Sequence, residues 1–473
     1  MTLPAEGIPD PSAQRPPSSS GASSDRPLAR RIAESIASLD DSRLTPEVVD
    51  KVKICLLDFV GCAFESRDLS WSRQAVAVAT DMAAHGSAII GSSKTSTAFD
   101  AAFANAVMGH GLVREDMHSG SISHLGIVVM PALLALAGSS KVTGRAFINA
   151  AMAGYEVGGQ IGRAVMDAAI ARIHRPTGVT GPSAAAAAAA RLLGLSVDAT
   201  TSALALAANT PVGFNQWAHT GGSEMFFHAG YAARSALTAV RLAQAGAFAS
   251  PSAYDGEAGL FASLGKRDNA ARVRLFEGTP EILSVYHKPV PACNFAQTAC
   301  QAALRIARDH QVAPERIERI TIRVPRAGAL YPGCDYSGPF EHILQAKMSI
   351  QYNVAAALIE RSVSERNFLR LDDPVLARLL SITSLEIDDG MSQAYPGLQG
   401  GEVEIRDADG ATRGVRLDDV VNATPSDVLA RFRAAATEVV GEDAAHEIEQ
   451  RVAALETADD VGAIVALFRG KAP

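Results

Sequence analysis

Cysteine is scarce in this chain of 473 residues. Five cysteines are present, an odd number, and no two of them form a CxxC pair. They are Cys55, Cys62, Cys293, Cys300 and Cys334. An odd and scattered set excludes a disulfide framework, and the missing CxxC pairs argue against a structural zinc site. No set of His, Cys, Asp and Glu has the spacing of a metal site, so we expect no metal. The scattered cysteines lead us to expect free thiols and a cytoplasmic location.

Aromatic residues, positive charge and long apolar runs are also in short supply. Aromatics make up 5% of the chain, and the formal net charge is −8. A negative balance offers no basic surface for nucleic acid, and no segment has the roughly 18 uninterrupted apolar residues that a membrane span requires. Residues 1–26 are rich in Pro and Ser and almost devoid of large apolar groups. They predict a disordered tail rather than a secretion signal.

Two kinds of periodicity divide the remaining chain. Apolar residues recur at three- and four-residue spacing through residues 27–279, which indicates helices almost throughout. Apolar and polar residues alternate in ERITIRV (318–324) and on both sides of a DADG turn in 401–417, as in half-buried strands. We predict a mainly α protein with an α+β insert. A large helical domain (27–279 and 418–473) is interrupted by a smaller α+β domain (280–417).

The stretch EDMHSGSISH, residues 115–124, places titratable groups between two apolar segments. His118 and His124 are candidate general bases, because an unperturbed imidazole titrates near pH 6.5. Such a base could move a proton α to a carboxylate if nearby donors stabilise the resulting enediolate. Asp116 would orient a histidine or join the proton transfer. The alternative is that these side chains cap helices and bond backbone carbonyls.

Two further segments carry candidate ligands for a carboxylate. In HRPTGVTGP, His174 and Arg175 precede a helix start, where a guanidinium fork and free backbone N–H groups favour anions. In YHKPVPACNFAQ, Lys288 would be costly to bury without an anionic partner. Asn294 and Gln297 could bond substrate oxygens or merely pack. No G-x-G-x-x-G motif follows a strand and no Walker loop is present, so we predict no nucleotide cofactor.

Six stretches together resemble the MmgE/PrpD family. They are HGLVREDMHSGSISHLGIVVMPALLALAG, GYEVGGQIGRA, HRPTGVTGPSAAAAAAARLLGLS, FFHAGYAARSALTAVRLAQAGA, YHKPVPACNFAQTACQAAL and AKMSIQYNVAAALIE. The resemblance implies a helical domain formed by both chain ends, an α+β lid, a homodimer, and cofactor-independent chemistry on small di- or tricarboxylates in the interdomain cleft. It also implies that Lys288 acts in catalysis and that His228 binds substrate near the cleft.

Three departures from the family pattern bear on the reaction. Val113 stands where an acid is usual, Met225 where lysine is usual, and Gln297 where histidine is usual. None of the three can exchange protons near neutral pH. We therefore favour an epimerase-type isomerase, which needs no leaving-group acid, over a cis-aconitate-type decarboxylase or a 2-methylcitrate-type dehydratase. A non-catalytic carboxylate-binding protein is the alternative from another class.

Overall fold

The computed structural model describes residues 26–80, 86–211 and 213–470. The tail predicted over residues 1–26 therefore lies outside the described residues, apart from Arg26. Within the described part, helices dominate, and a four-stranded sheet occupies the second half of the chain. The predicted fold class, mainly α with an α+β insert, is confirmed.

Among the described residues, twelve α-helices form the first part of the helical domain. They are α1 Leu28–Ala37, α2 Pro46–Ser66, α3 Ser70–Thr80, α4 Ala98–His110, α5 Gly126–Ala137, α6 Gly144–Val165, α7 Ala168–Ile173, α8 Pro176–Leu192, α9 Val197–Ala207, α10 Trp217–Thr220, α11 Glu224–Gln244 and α12 Leu260–Ser263. Two short strand pairs accompany them: β1 Ser87–Ala88 with β2 Thr95–Ser96, and β3 Met117–His118 with β4 Val285–Tyr286.

Small residues allow the helices around the site to approach closely. The alanine run of α8 packs against α6, and a Cβ atom placed on Gly158 would lie 2.8 Å from the Cβ of Ala184. Gly154 is equally crowded, with 2.9 Å to the Cβ of Ala188. Because larger side chains would separate these helices, the scarcity of aromatics and the abundance of alanine follow from this packing.

The lid holds α13 Gln297–His310, α14 Arg326–Ala329, α15 Ile343–Met348, α16 Ile350–Glu360, α17 Pro374–Ser381 and α18 Asp389–Ala394. Its sheet contains β5 Ile317–Val324, β6 Thr383–Ile387, β7 Gly401–Asp407 and β8 Thr412–Leu417, in the order β6-β5-β7-β8. β7 and β8 form the expected antiparallel hairpin, while β6 pairs in parallel with β5. The sequence pattern did not reveal β6, whose residues are only half-buried and do not alternate.

The chain returns to the helical domain at its end. Helices α19 Pro425–Val440, α20 Glu442–Ala453 and α21 Gly462–Val465 follow β8. Arg431 of α19 forms a salt bridge with the buried Asp58 of α2 and also donates to the backbone carbonyl of Lys288, at 2.8 Å. Both ends of the chain therefore contribute to one helical domain. Among the described helices, none is long and apolar enough to cross a membrane.

Candidate active site

A small cavity lies where the helical domain meets the lid. Its volume is about 20 Å³, room for roughly one water molecule. The helical domain supplies Val113, Met117, Ile122, His124, Arg175 and Met225, and the lid supplies Cys293, Asn294, Phe295, Tyr331 and Met348. We call this space the inner cavity.

Four side chains form a hydrogen-bonded chain beside the inner cavity. The guanidinium of Arg175 donates to Nε2 of His110 at 2.9 Å, since arginine has no acceptor. Nδ1 of His110 must then carry the proton, and it donates to Oε1 of Glu115 at 2.6 Å. Nδ1 of His124 lies 2.9 Å from the same carboxylate oxygen and 3.1 Å from the carbonyl of Asp116. Because both partners of Nδ1 are acceptors, Nδ1 carries the proton of the neutral ring. The lone pair is then on Nε2 of His124.

Burial and charge set the protonation states of this chain. Burial, with the charge of Lys288 next in importance, lowers the pKa of His124 to about 3. Burial also lowers the pKa of His110. For Glu115 burial opposes the charged form, but His110, Lys288 and His124 outweigh it and hold the pKa well below its ordinary value. Near pH 7, therefore, both imidazoles are neutral and Glu115 is ionised.

Two buried cations adjoin the inner cavity without a carboxylate partner among the described residues. Arg175 is 4% exposed, and its second bond is a long one, 3.4 Å to the hydroxyl of Tyr331. Lys288 is fully buried and donates to the backbone carbonyls of Val113 and Ala292. Burial lowers the pKa of Lys288. Glu115 offsets one of these two charges, so the site keeps a positive charge that an anionic ligand would neutralise.

Backbone strain borders the same cavity. Val113 and Ile122 have φ values of 58° and 53°, in the left-handed region that β-branched residues avoid. The loop is fixed from the other side, because the backbone N–H of His124 donates to the hydroxyl of Thr177 in the first turn of α8 at 3.0 Å. Strain of this kind persists where surrounding contacts impose it, and it concentrates at functional sites.

His118 and Asp116, both predicted as catalytic, are bonded away from the inner cavity. His118 accepts from the backbone N–H of Ser121 at 3.1 Å, so its Nε2–H donates to Glu281 at 2.6 Å. The carboxylate of Asp116 accepts from the N–H of Gly126 at 3.1 Å and from the hydroxyl of Tyr155 at 2.5 Å. Neither side chain lines the cavity. Asp116 reaches the site only through its carbonyl, which faces His124.

Of the residues predicted to bind substrate, some line the inner cavity and others do not. Arg175 and Asn294 line the inner cavity, whereas His174 ends α7 and packs against the exposed Phe214. His228 is buried and does not line the cavity; burial and the charge of Arg175 lower its pKa to about 4.

Gln297 does not reach the inner cavity either. Its amide bonds the backbone of Val290, at 3.2 and 2.9 Å, and the carbonyl of Ala292, at 3.1 Å. It braces the loop that presents Asn294. The amide of Asn294 is itself bonded to Tyr286 and, at 2.7 Å, to Gln399, so its position in the cavity wall is fixed.

Three site residues were not among the sequence candidates. His110 and Glu115 had a usable signal, because Glu115 lies in the titratable stretch and His110, five residues before it, ends α4. Tyr331 had none: it lies in the lid, 156 residues from Arg175, and only the fold brings them together. Burial raises the pKa of Tyr331 to about 12, so its hydroxyl is a neutral hydrogen-bond donor.

His110, Glu115 and His124 also bring three possible metal-ligand atoms within 4.8 Å of one another. Sequence spacing did not predict this cluster. The hydrogen-bond pattern argues against a metal there, because Nδ1 of His110 carries a proton and the guanidinium of Arg175 lies 2.9 Å from the same ring. A divalent cation would have to displace that proton beside two existing positive charges.

Comparison with known proteins agrees with this architecture. A cis-aconitate decarboxylase-like protein, oryM, of Aspergillus oryzae (strain ATCC 42149 / RIB 40) is 27% identical, with 92% of this chain and 96% of the relative covered. The cis-aconitate decarboxylase of Aspergillus terreus (strain NIH 2624 / FGSC A1156) is 25% identical over 89% and 92%. The human cis-aconitate decarboxylase is 26% identical over 94% and 95%.

Two family models cover most of the chain. The MmgE/PrpD N-terminal domain matches residues 30–272, and the MmgE/PrpD C-terminal domain matches residues 290–457. The first match ends before the lid and the second spans the lid and the beginning of the C-terminal helices. The chain therefore belongs to the MmgE/PrpD family.

Proposed function

We propose that this protein is a lyase that decarboxylates a small unsaturated di- or tricarboxylate. The observation that carries the proposal is the buried Arg175 in the wall of a cavity that His124 also lines, together with a second buried cation, Lys288, which bonds the backbone of the wall residue Val113. The relatives named as cis-aconitate decarboxylases support decarboxylation over the epimerase reaction that the sequence departures favoured.

The reaction we infer begins with charge neutralisation. A substrate carboxylate takes the hydrogen bonds that Arg175 and Tyr331 can donate. The C–C bond to a second, allylic carboxylate breaks and releases CO₂. The electron pair of the broken C–C bond forms a new double bond. The electron pair of the original double bond moves to the carbon next to the bound carboxylate. Donors over that carboxylate stabilise the enediolate character of this carbanion.

His124 is the proton donor in this proposal. Its pKa is low in the empty site because of burial and the charge of Lys288. A bound polyanion opposes that charge and raises the pKa, so the ring takes up a proton at Nε2 as the substrate binds. After CO₂ leaves, that proton adds to the carbanion, and Glu115 supports the imidazolium through Nδ1.

The three residues that depart from the family pattern differ in whether they line the inner cavity, where this reaction would take place. Val113 and Met225 line the inner cavity and supply only apolar wall, but Gln297 lies outside it. The reaction uses a single proton donor, which His124 can provide. The homodimer, the cytoplasmic location and the small-carboxylate partner remain part of the proposal.

Incubation with cis-aconitate in D₂O tests the proposed function. We expect CO₂ release together with vinylic methylene signals in the proton NMR spectrum and one deuteron incorporated at the protonated carbon. Exchange of α-protons without CO₂ release would instead indicate the epimerase reaction. Binding without exchange or CO₂ release, across a panel of di- and tricarboxylates, would indicate a carboxylate-binding protein. The variant Arg175→Met, which lacks the guanidinium that binds the substrate carboxylate in this proposal, should lose the reaction.

A further inference from the structure

A second, larger space adjoins the inner cavity. It lies between α7 and the lid and has a volume of about 270 Å³. Ile122, Phe295 and Tyr331 line both spaces, so these three side chains form a wall that the two spaces share. We call this second space the outer chamber. A ligand held by Arg175 and Tyr331 would have one end directed towards it.

The walls of the outer chamber are predominantly apolar. Besides the three shared residues, they include Met166, Ala168, Ala171, Ala327, Leu330 and Tyr395. Asp167 is the one charged side chain among the described lining residues. Its carboxylate is bonded to the backbone N–H groups of Ala169 and Ile170 and paired with Lys266. The chamber therefore offers no cation for a carboxylate and a large surface for hydrocarbon.

The two spaces differ in what they can bind. The inner cavity is too small for a whole tricarboxylate and is bordered by cations, whereas the outer chamber is roomy and apolar. A six-carbon tricarboxylate without a substituent would leave the chamber filled with water against apolar walls. The wall residues shared by the two spaces make a single ligand, charged at one end and apolar at the other, the natural occupant of both.

We propose that the outer chamber holds an alkyl substituent on the substrate, of about four to eight carbons at roughly 30 Å³ each. This inference rests on the proposed function for the position of the carboxylates. The substrate class is then an unsaturated di- or tricarboxylate that carries a straight alkyl chain. Phe295 and Tyr331, whose rings are in contact with centroids 5.3 Å apart, form the partition between the charged and the apolar parts, and these rings turn aside when the chain enters the chamber.

Binding of maleate, ethylmaleate, butylmaleate and hexylmaleate, measured by isothermal titration calorimetry, tests this inference. These probes share a cis-dicarboxylate and differ only in chain length, and their binding does not depend on turnover. Each methylene buried in the chamber should tighten binding about two- to four-fold. Hexylmaleate should thus bind at least about 50-fold more tightly than maleate.

A matched pair of variants locates the alkyl site. Ala168 lines the outer chamber, whereas the neighbouring Ala169 does not, and both are exposed on α7. Ala168→Phe should abolish the dependence on chain length and leave maleate binding within about two-fold. Ala169→Phe should keep the full dependence. Equal affinities across the series in the unmodified protein, no binding of any maleate, or a chain-length dependence that survives Ala168→Phe would each overturn the inference. The decarboxylation of cis-aconitate would remain an independent measure of the proposed function.

Discussion

At the scale of single residues, His124 differs from the other histidines near the site. It lines the inner cavity, its Nδ1 is held by Glu115 and the carbonyl of Asp116, and its Nε2 has no hydrogen-bond partner among the described residues. His110 has both ring nitrogens bonded, and so has His118. Of these three histidines, His124 alone can therefore pass a proton to a ligand in the cavity without first breaking a protein contact.

The variant His124→Gln tests this role. Glutamine keeps a hydrogen bond to Glu115 but cannot deliver a proton, so turnover should fall about 10²- to 10⁴-fold. The thermal midpoint should change little. His118→Gln, which alters a ring bonded to Glu281 away from the cavity, should retain turnover within about ten-fold. Full activity in His124→Gln together with a much lower midpoint would mean that His124 only fastens the loop.

The low pKa of His124 predicts proton uptake on binding. Near pH 7 the free site holds His124 neutral, since its pKa is about 3, and an anionic ligand raises that pKa. The complex then binds more protons than the free protein, so affinity falls as pH rises from about 3 to the pKa of the complex and levels off above it. Calorimetry in buffers of different ionisation enthalpy should show uptake of up to about one proton per site. The same uptake in His124→Gln would contradict the assignment.

The cluster of His110, Glu115 and His124 predicts no dependence on a metal. Extended dialysis against EDTA should leave turnover and thermal midpoint unchanged, because Oε1 of Glu115 already bonds the Nδ1 atoms of both histidines. Metal analysis by mass spectrometry checks the same point. Stoichiometric zinc or iron that is lost together with activity would show that the cluster is a metal centre.

At the scale of secondary-structure elements, Lys288 connects the loop after α4 to the entrance of the lid. Its ammonium group bonds the carbonyl of Val113, whose φ is strained, and the carbonyl of Ala292. The strand pair β3–β4 joins the same two segments. Lys288 thus holds the loop in place and also supplies positive charge to the site.

The variant Lys288→Met separates these two effects. Leaving a buried carbonyl unpaired costs about 1–3 kcal/mol, so the thermal midpoint should fall by several degrees. Removal of the charge should also raise KM for a polyanionic substrate at least about ten-fold, measured at a temperature where the variant is folded. A lower midpoint with unchanged KM would show that Lys288 acts on the loop alone.

Elements differ in how far their sequence predicts them. Amphipathic spacing is regular in α1 and α2, and Thr45 directly before Pro46 is a typical helix start; the structure shows that the Thr45 hydroxyl caps α2 by accepting from the N–H of Val48. The apolar spacing of KMSIQYNVAAALIER is that of one continuous helix, but the structure divides this segment at Ser349, whose hydroxyl caps α16 by accepting from the N–H of Tyr352 at 2.9 Å. Apolar periodicity continues across this break, so the pattern alone could not locate it.

At the scale of the whole molecule, Arg431 joins three distant parts of the chain. It pairs with Asp58 in α2, donates to the carbonyl of Lys288 at the lid entrance, and belongs to the C-terminal helix α19. Asp58 is buried and also accepts from Nδ1 of His287 at 2.9 Å. Burial raises the pKa of Asp58, but Arg431 and His287 outweigh it, and the net pKa is lowered.

The variant Arg431→Met should destabilise the whole fold. Breaking a buried pair leaves a charge uncompensated and costs about 3–5 kcal/mol, which corresponds to a drop of roughly 5 °C or more in the thermal midpoint. The matched control is Arg433→Met on the same helix, whose exposed pair with Glu449 should contribute less than about 1 kcal/mol. Equal midpoints for the two variants would refute the proposed link between the chain ends.

Local sequence determined the elements of this protein and much of its domain order. Helical spacing, strand alternation and the DADG turn depend on neighbours within a few residues, and the titratable stretch and Arg175 are visible as residue types. Which groups meet was decided by the tertiary structure. His118 and His124 are six residues apart in an irregular loop that reverses at Ile122 in the left-handed region, so their directions could not be read from spacing. Arg175, Lys288 and Tyr331 come from separate segments, and their convergence depends on how the lid packs on the helices, which no local pattern encodes.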